Sequence, residues 1–319
     1  MKTEIPDGSG TPILVLSGIG VGSLLGLTSP PAAQLADAAV GHTVLALVTL
    51  LMLETAFSAQ TPSREQLRFV GVTWSHNFIL SPIIATLLVL IMLPDQPLLA
   101  TGVFLYLWAP CTDWFLGFTR LADGNTTIGA ILVPVNMLTQ LLLYPVVIYA
   151  LTRNSTPWDI GEITQSLCTW FLLPVLVATA ARAALHATLS TAAFNRTMKS
   201  ARKAIPIALA FLVIEIFAGN TRAMVNNADS MLRILAVTLT FFVVTYLLAG
   251  AISRTFHIQY AEHALLVMTT AARNAPMMLA LTTITFPDQH LTHAAITIGM
   301  LVEFPHLVAL RTLLSRKRR

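Results

Sequence analysis

The sequence predicts an all-α protein that crosses a membrane ten times, in two five-helix halves of inverted orientation. Three observations carry that prediction. The chain of 319 residues has a mean hydropathy of +0.73 and only 11% charged residues, where a soluble domain carries about 25%. Laying out ten spans puts 15 of the 19 Lys and Arg residues on one side and three on the other, with Arg273 left inside a span. Two apolar runs are interrupted at corresponding places in the two halves, which is the sequence pointer to a transporter binding site.

Spans are expected at 12–30, 36–59, 69–93, 98–121, 126–151, 163–185, 204–219, 231–252, 261–284 and 291–312. Most reach the roughly 20 residues that a bilayer requires; the seventh, AIPIALAFLVIEIFAG, is short unless flanking polar residues extend it. The organisation that follows is a tail over 1–11, a first repeat over 12–151, a linker over 152–162, a second repeat over 163–312 and a basic tail over 313–319. An odd number of spans per repeat implies inverted topology. The positive-inside bias puts both termini in the cytoplasm of a cell bounded by this inner membrane. The first eleven residues, MKTEIPDGSGT, lack the layout of a cleaved signal, so the first span is expected to direct insertion. The longest connection, 186–203, is basic. It reads as an ordinary cytoplasmic loop or as a segment lying on the anionic leaflet.

The first interruption is LWAPCTDWFLG, residues 107–117. Pro110 removes a backbone donor and disfavours a helical conformation at Ala109. Cys111, Thr112 and Asp113 follow it, and a carboxylate at that depth is costly to bury. The second interruption is TAARNAP, residues 270–276, with Arg273, Asn274 and Pro276. If both segments unwind and cross, Asp113 and Arg273 come together. Such a pair either locks the crossing or governs an anion or a proton during transport.

Glu303 precedes Pro305 in LVEFPHL. A carboxylate beside a proline-loosened turn can hold a cation or carry a proton, or simply bond a neighbouring helix end. Asn136, Thr139 and Gln140 share one helical face by their spacing, which suits a polar solute or bonds between helices. His76 and Asn77 read as a tie between helices. Glu54 and Glu215 lie nearer span ends and are not site candidates. A thiol beside Pro110 is either a small apolar filler or a ligand for a thiophilic solute; Cys168 reads as packing. No phosphate-binding loop, zinc-protease motif or prenyl-transfer motif is present in the sequence, so a transporter rather than an enzyme is expected, with no cofactor and no resident metal. The basic residues adjoin membrane spans, which argues for lipid rather than nucleic acid as their partner.

These stretches together resemble the bile acid/sodium symporter superfamily and, within it, the arsenical-resistance permeases that export arsenite. The resemblance runs through ILSPIIATLL, APCTDW, PVNMLTQLL, LLPVLVATAARAAL and IGMLVEFPHLVAL, in that order. It implies a core domain of spans 3–5 and 8–10, a panel domain of spans 1, 2, 6 and 7, and broken, crossing spans four and nine. It also implies that Cys111 is the permeases' span-four cysteine, that Asn136 and Gln140 are their Asn-x-x-x-Gln, and that Glu303 belongs to their Leu-Val-Glu-x-Pro. Met277 stands where those permeases carry a glutamate, and Arg273 stands in the span-nine neighbourhood where sodium-coupled relatives carry ion ligands. A guanidinium there repels sodium.

The expected function is therefore secondary, alternating-access transport of a small inorganic metalloid such as arsenite or antimonite, exchanged for protons. Cys111, Thr112, Asn136, Gln140 and Asn274 would contact substrate. Asp113, Arg273 and Glu303 would relay charge, and Pro110, Pro276 and Pro305 would break helices. The alternative is an organic-anion symporter in which Arg273 and half-helix N-termini hold a carboxylate, coupled to sodium or protons. A more remote alternative is a non-transporting membrane receptor.

Overall fold

Membrane-embedded backbone has no water to bond, so a chain this apolar must satisfy its amides within helices. The computed structural model describes residues 10–54, 62–112, 115–152, 173–225 and 228–317. Its helices are α1 Gly10–Thr28, α2 Pro30–Glu54, α3 Arg64–Ser75, α4 Ser81–Met92, α5 Pro97–Trp108, α6 Phe115–Leu121 and α7 Thr126–Thr152. They continue as α8 Leu173–Thr188, α9 Thr191–Val225, α10 Ala228–Thr255, α11 Tyr260–Ala271, α12 Ala275–Thr285 and α13 His290–Lys317. A π-helical turn, His76–Leu80, joins α3 to α4 without a break. No strand longer than a single bridge occurs among the described residues. Among these residues, four helical stretches are long and apolar enough to cross a membrane: Arg64–Met92, Thr126–Leu151, Asp229–Thr255 and His290–Arg316. Asp113, Cys168 and the linker from 153 onward lie outside the described residues.

The chain divides into two compact units. The first comprises Met1–Ala56, Leu143–Asn226 and Leu279–Ala294. Within it α9 packs along α1 and α2, and α8 packs on α2. The close partner is α1, because glycines recur every fourth residue on its inner face. A Cβ at Gly26 would sit 2.4 Å from the Ala218 carbonyl oxygen, and one at Gly22 2.5 Å from that of Ile214. Small residues at this spacing let membrane helices meet backbone to backbone. Leu16, Leu24 and Leu27 on the same helix are exposed, as a lipid-facing stripe should be.

One sequence expectation needs correction in this unit. Residues 191–203, expected as part of a long loop, are the first turns of α9, so the seventh span is extended by flanking polar residues, as the sequence allowed, into a 35-residue helix. Ser190 explains this. Its Oγ accepts the Ala193 N–H at 3.4 Å, an N-cap, and no Gly or Pro interrupts 191–203. Glu215 lies within α9, and its Oε1 accepts the Thr43 hydroxyl at 2.8 Å.

The second unit comprises Phe57–Leu142, Asn227–Met278 and Ala295–Arg319. Its entry is sharply defined: the Ser63 hydroxyl accepts the Gln66 N–H, and the Gln66 side chain accepts the Ser63 N–H, a capping box. A buried apolar cluster holds it together, including Phe115, Phe118, Ile128, Leu265, Met268 and Leu307. Helix α13 runs on through Pro305. The expected break at Pro305 is therefore corrected: the proline removes one N–H from the helix interior without ending the helix.

Candidate functional site

Within the second unit, α5 stops at Trp108 and α6 starts at Phe115; α11 stops at Ala271 and α12 starts at Ala275. The two interruptions meet. The Cys111 N–H donates to the Ala272 carbonyl at 3.0 Å, and the Asn274 N–H donates to the Ala109 carbonyl at 2.9 Å. Together they form an antiparallel bridge centred on Pro110 and Arg273. Proline pushes its predecessor into extended backbone, and Ala109 is extended, with φ −89° and ψ 114°. Ala272, before Arg273, is extended likewise. Each interruption thus supplies the hydrogen-bond partners that the other has lost.

Four side chains complete this junction. Asn274 caps α12, its Oδ1 accepting the Met277 N–H at 3.4 Å, while its Nδ2 donates to the Thr112 hydroxyl at 3.2 Å. Pro276 is the second residue of α12, a position where no helical donor is needed. It follows the break rather than making it. Glu303, fully buried on α13, accepts the Arg273 backbone N–H at 3.0 Å and the Tyr106 hydroxyl at 2.9 Å. Tyr106 reaches it because Gly299, one turn earlier, leaves room: a Cβ there would lie 2.5 Å from the tyrosine ring.

Arg273 is fully buried. Its Nη1 donates to the Leu107 carbonyl at 3.0 Å and its Nη2 to the Thr270 carbonyl. Its guanidinium carbon lies 5.2 Å from the centre of the Phe241 ring, a cation–π geometry. Cys111 is also fully buried and packs in the apolar cluster with Phe115 and Leu265.

Asn136 and Gln140 belong to a second polar group in this unit. Both are fully buried on α7, together with Thr73, His76, Asn77 and Thr269 from α3, the π-helical turn and α11. Thr269 accepts from Asn77 at 3.3 Å and from Asn136 at 3.4 Å. Thr139 is turned to another task and accepts from Trp74 at 3.0 Å. Among the described residues, the Thr73 hydroxyl, His76 Nε2, Asn77 Oδ1, Asn136 Oδ1 and both amide atoms of Gln140 find no hydrogen-bond partner. Each such atom costs about 1–3 kcal/mol if nothing polar reaches it. The tie between helices expected of His76 and Asn77 is present at Asn77, which reaches Thr269 of α11. The π-helical turn that carries them inserts a residue into the helix.

The sequence profile of the Sodium Bile acid symporter family matches residues 44–227. The chain is 22% identical over 252 residues to the arsenical-resistance protein Acr3 of Corynebacterium glutamicum, covering 76% of this chain and 68% of that protein.

Proposed function

The chain belongs to the Sodium Bile acid symporter family, and from that membership we propose that it exports a trivalent metalloid in exchange for protons. That it is a membrane transporter and not an enzyme follows from the family and the relative; the substrate, the coupling ion and the site are our reading. The fold we assign to it is ten spans in two inverted repeats, core and panel, with both termini cytoplasmic. The observation that carries the reading is the bridged crossing, which gathers Cys111, Thr112, Arg273, Asn274 and Glu303 in one junction.

The substrate enters as a neutral trihydroxide. At Cys111 a sulfur–metalloid bond replaces one hydroxide, and the thiol proton leaves with that hydroxide as water. Asn136 and Gln140 offer hydrogen bonds to the remaining hydroxyls. Glu303 and Asp113 are the proton carriers. Movement of the core against the panel exposes the site alternately to each side. Support for the organic-anion alternative is weakened by Arg273, whose guanidinium is already committed to two backbone carbonyls and so has less to offer a carboxylate.

The test is flux in proteoliposomes. Arsenite should move opposite to protons running down an imposed gradient and ignore a sodium gradient, and Cys111→Ser should lose most of that flux. Transport of organic anions with no arsenite flux would sink the reading.

A further inference from the structure

We propose that Arg273 is a tethered cation: it supplies, from within the chain, the positive charge that the two broken helices need, so the crossing requires no soluble cation. Breaking a helix leaves its last carbonyls without helical donors. Each C-terminus carries roughly half a negative elementary charge. The C-terminal turns of α5 and α11 converge on one guanidinium; their summed charge is about −1 on that basis, and the Glu303 side chain held at the Arg273 N–H adds to it when ionised. The bonds are direct: Arg273 donates to Leu107 near the end of α5 and to Thr270 near the end of α11. Phe241 covers the guanidinium with its ring face, another surface that favours a cation.

The anchoring is as informative as the contacts. The residue carrying the cation is itself the centre of the bridge, and its own N–H is held by Glu303. The charge therefore stays at the junction throughout any movement of the unit, whereas a dissolved cation would bind and leave. A second full charge beside it would be repelled by several kcal/mol at protein dielectric. The inference deepens the proposed transport reading, because a core that carries its own cation can move whether or not a soluble cation is bound.

The test uses the purified full-length protein and thermal unfolding. Sodium, lithium, potassium and methylguanidinium chlorides are each exchanged for N-methylglucamine chloride at constant ionic strength. The wild-type midpoint should be the same in all of them. Arg273→Gln should unfold at a lower temperature in N-methylglucamine and recover saturably with at least one of the four cations, as mass action requires of a bound ligand. Arg273→Lys should remain indifferent to the salt. A wild-type midpoint that rises with a small cation would overturn the proposal. So would an Arg273→Gln protein that gains nothing from any of them, including one that stays unfolded in every salt, or an Arg273→Lys protein that acquires salt dependence. Flux is scored separately: a cation-indifferent protein that moves no arsenite would refute the transport reading and leave the tethered charge standing.

Discussion

The α1–α9 pair of the first unit and the bridged crossing of the second both bring backbone against backbone inside an apolar protein, by opposite means. In the pair, the helices are continuous and their amides are spent internally. Only side-chain volume stands in the way, and Gly22 and Gly26 remove it. In the crossing, both helices are interrupted, and the unspent groups are consumed by the bridge, by Arg273, by Asn274 and by Glu303. The difference teaches where charge matters. A glycine contact is a matter of shape and is indifferent to ions, whereas a bridged break is held by dipoles and ionisable groups, which a substrate or a proton can address.

That contrast can be broken from either side. The largest effect is expected from Gly26→Leu, because the nearest obstacle to its side chain is the Ala218 backbone, which cannot swing aside. A loss of about 3 kcal/mol follows from overpacking of this kind, read as a lower unfolding midpoint, equal in every salt. Tyr106→Phe should come next. It strips the hydroxyl from the buried Glu303 carboxylate, at about 2 kcal/mol for a hydrogen bond to a charged group. It should also change the pH profile of flux, which Gly26→Leu should not. Thr43→Val should be the smallest, about 1 kcal/mol. It removes one bond to Glu215 in the first unit, and it should leave the pH profile of flux unaltered. A Thr43→Val protein with a shifted profile would erase the distinction drawn between the two units.

Much of this was legible in the sequence, and the reasons are local. Span lengths follow from apolar runs, so α7, α10 and α13 fall within a few residues of expectation. The interruptions were legible because Pro110 and the polar run at 273–274 have few uses in a membrane helix. The start of α9 was missed because basic residues read as loop, although Ser190 is a good cap and the residues after it are ordinary helix formers. Pro305 misled in the other direction: a proline in a long, well-packed membrane helix is tolerated when only one bond is lost. The pairing of Asp113 with Arg273 falls outside the described residues; the partners seen for Arg273 are carbonyls, which composition does not reveal.

By itself the sequence determined that this chain is helical, embedded in a membrane and broken near residues 110 and 273. Hydropathy, proline and the cost of unpaired amides act over a few neighbouring residues and can be read in order. Only the tertiary structure decided which groups close those breaks. The Leu107 carbonyl and the Arg273 guanidinium are 166 residues apart in the chain, and every carbonyl looks alike until folding sets one of them against a charge.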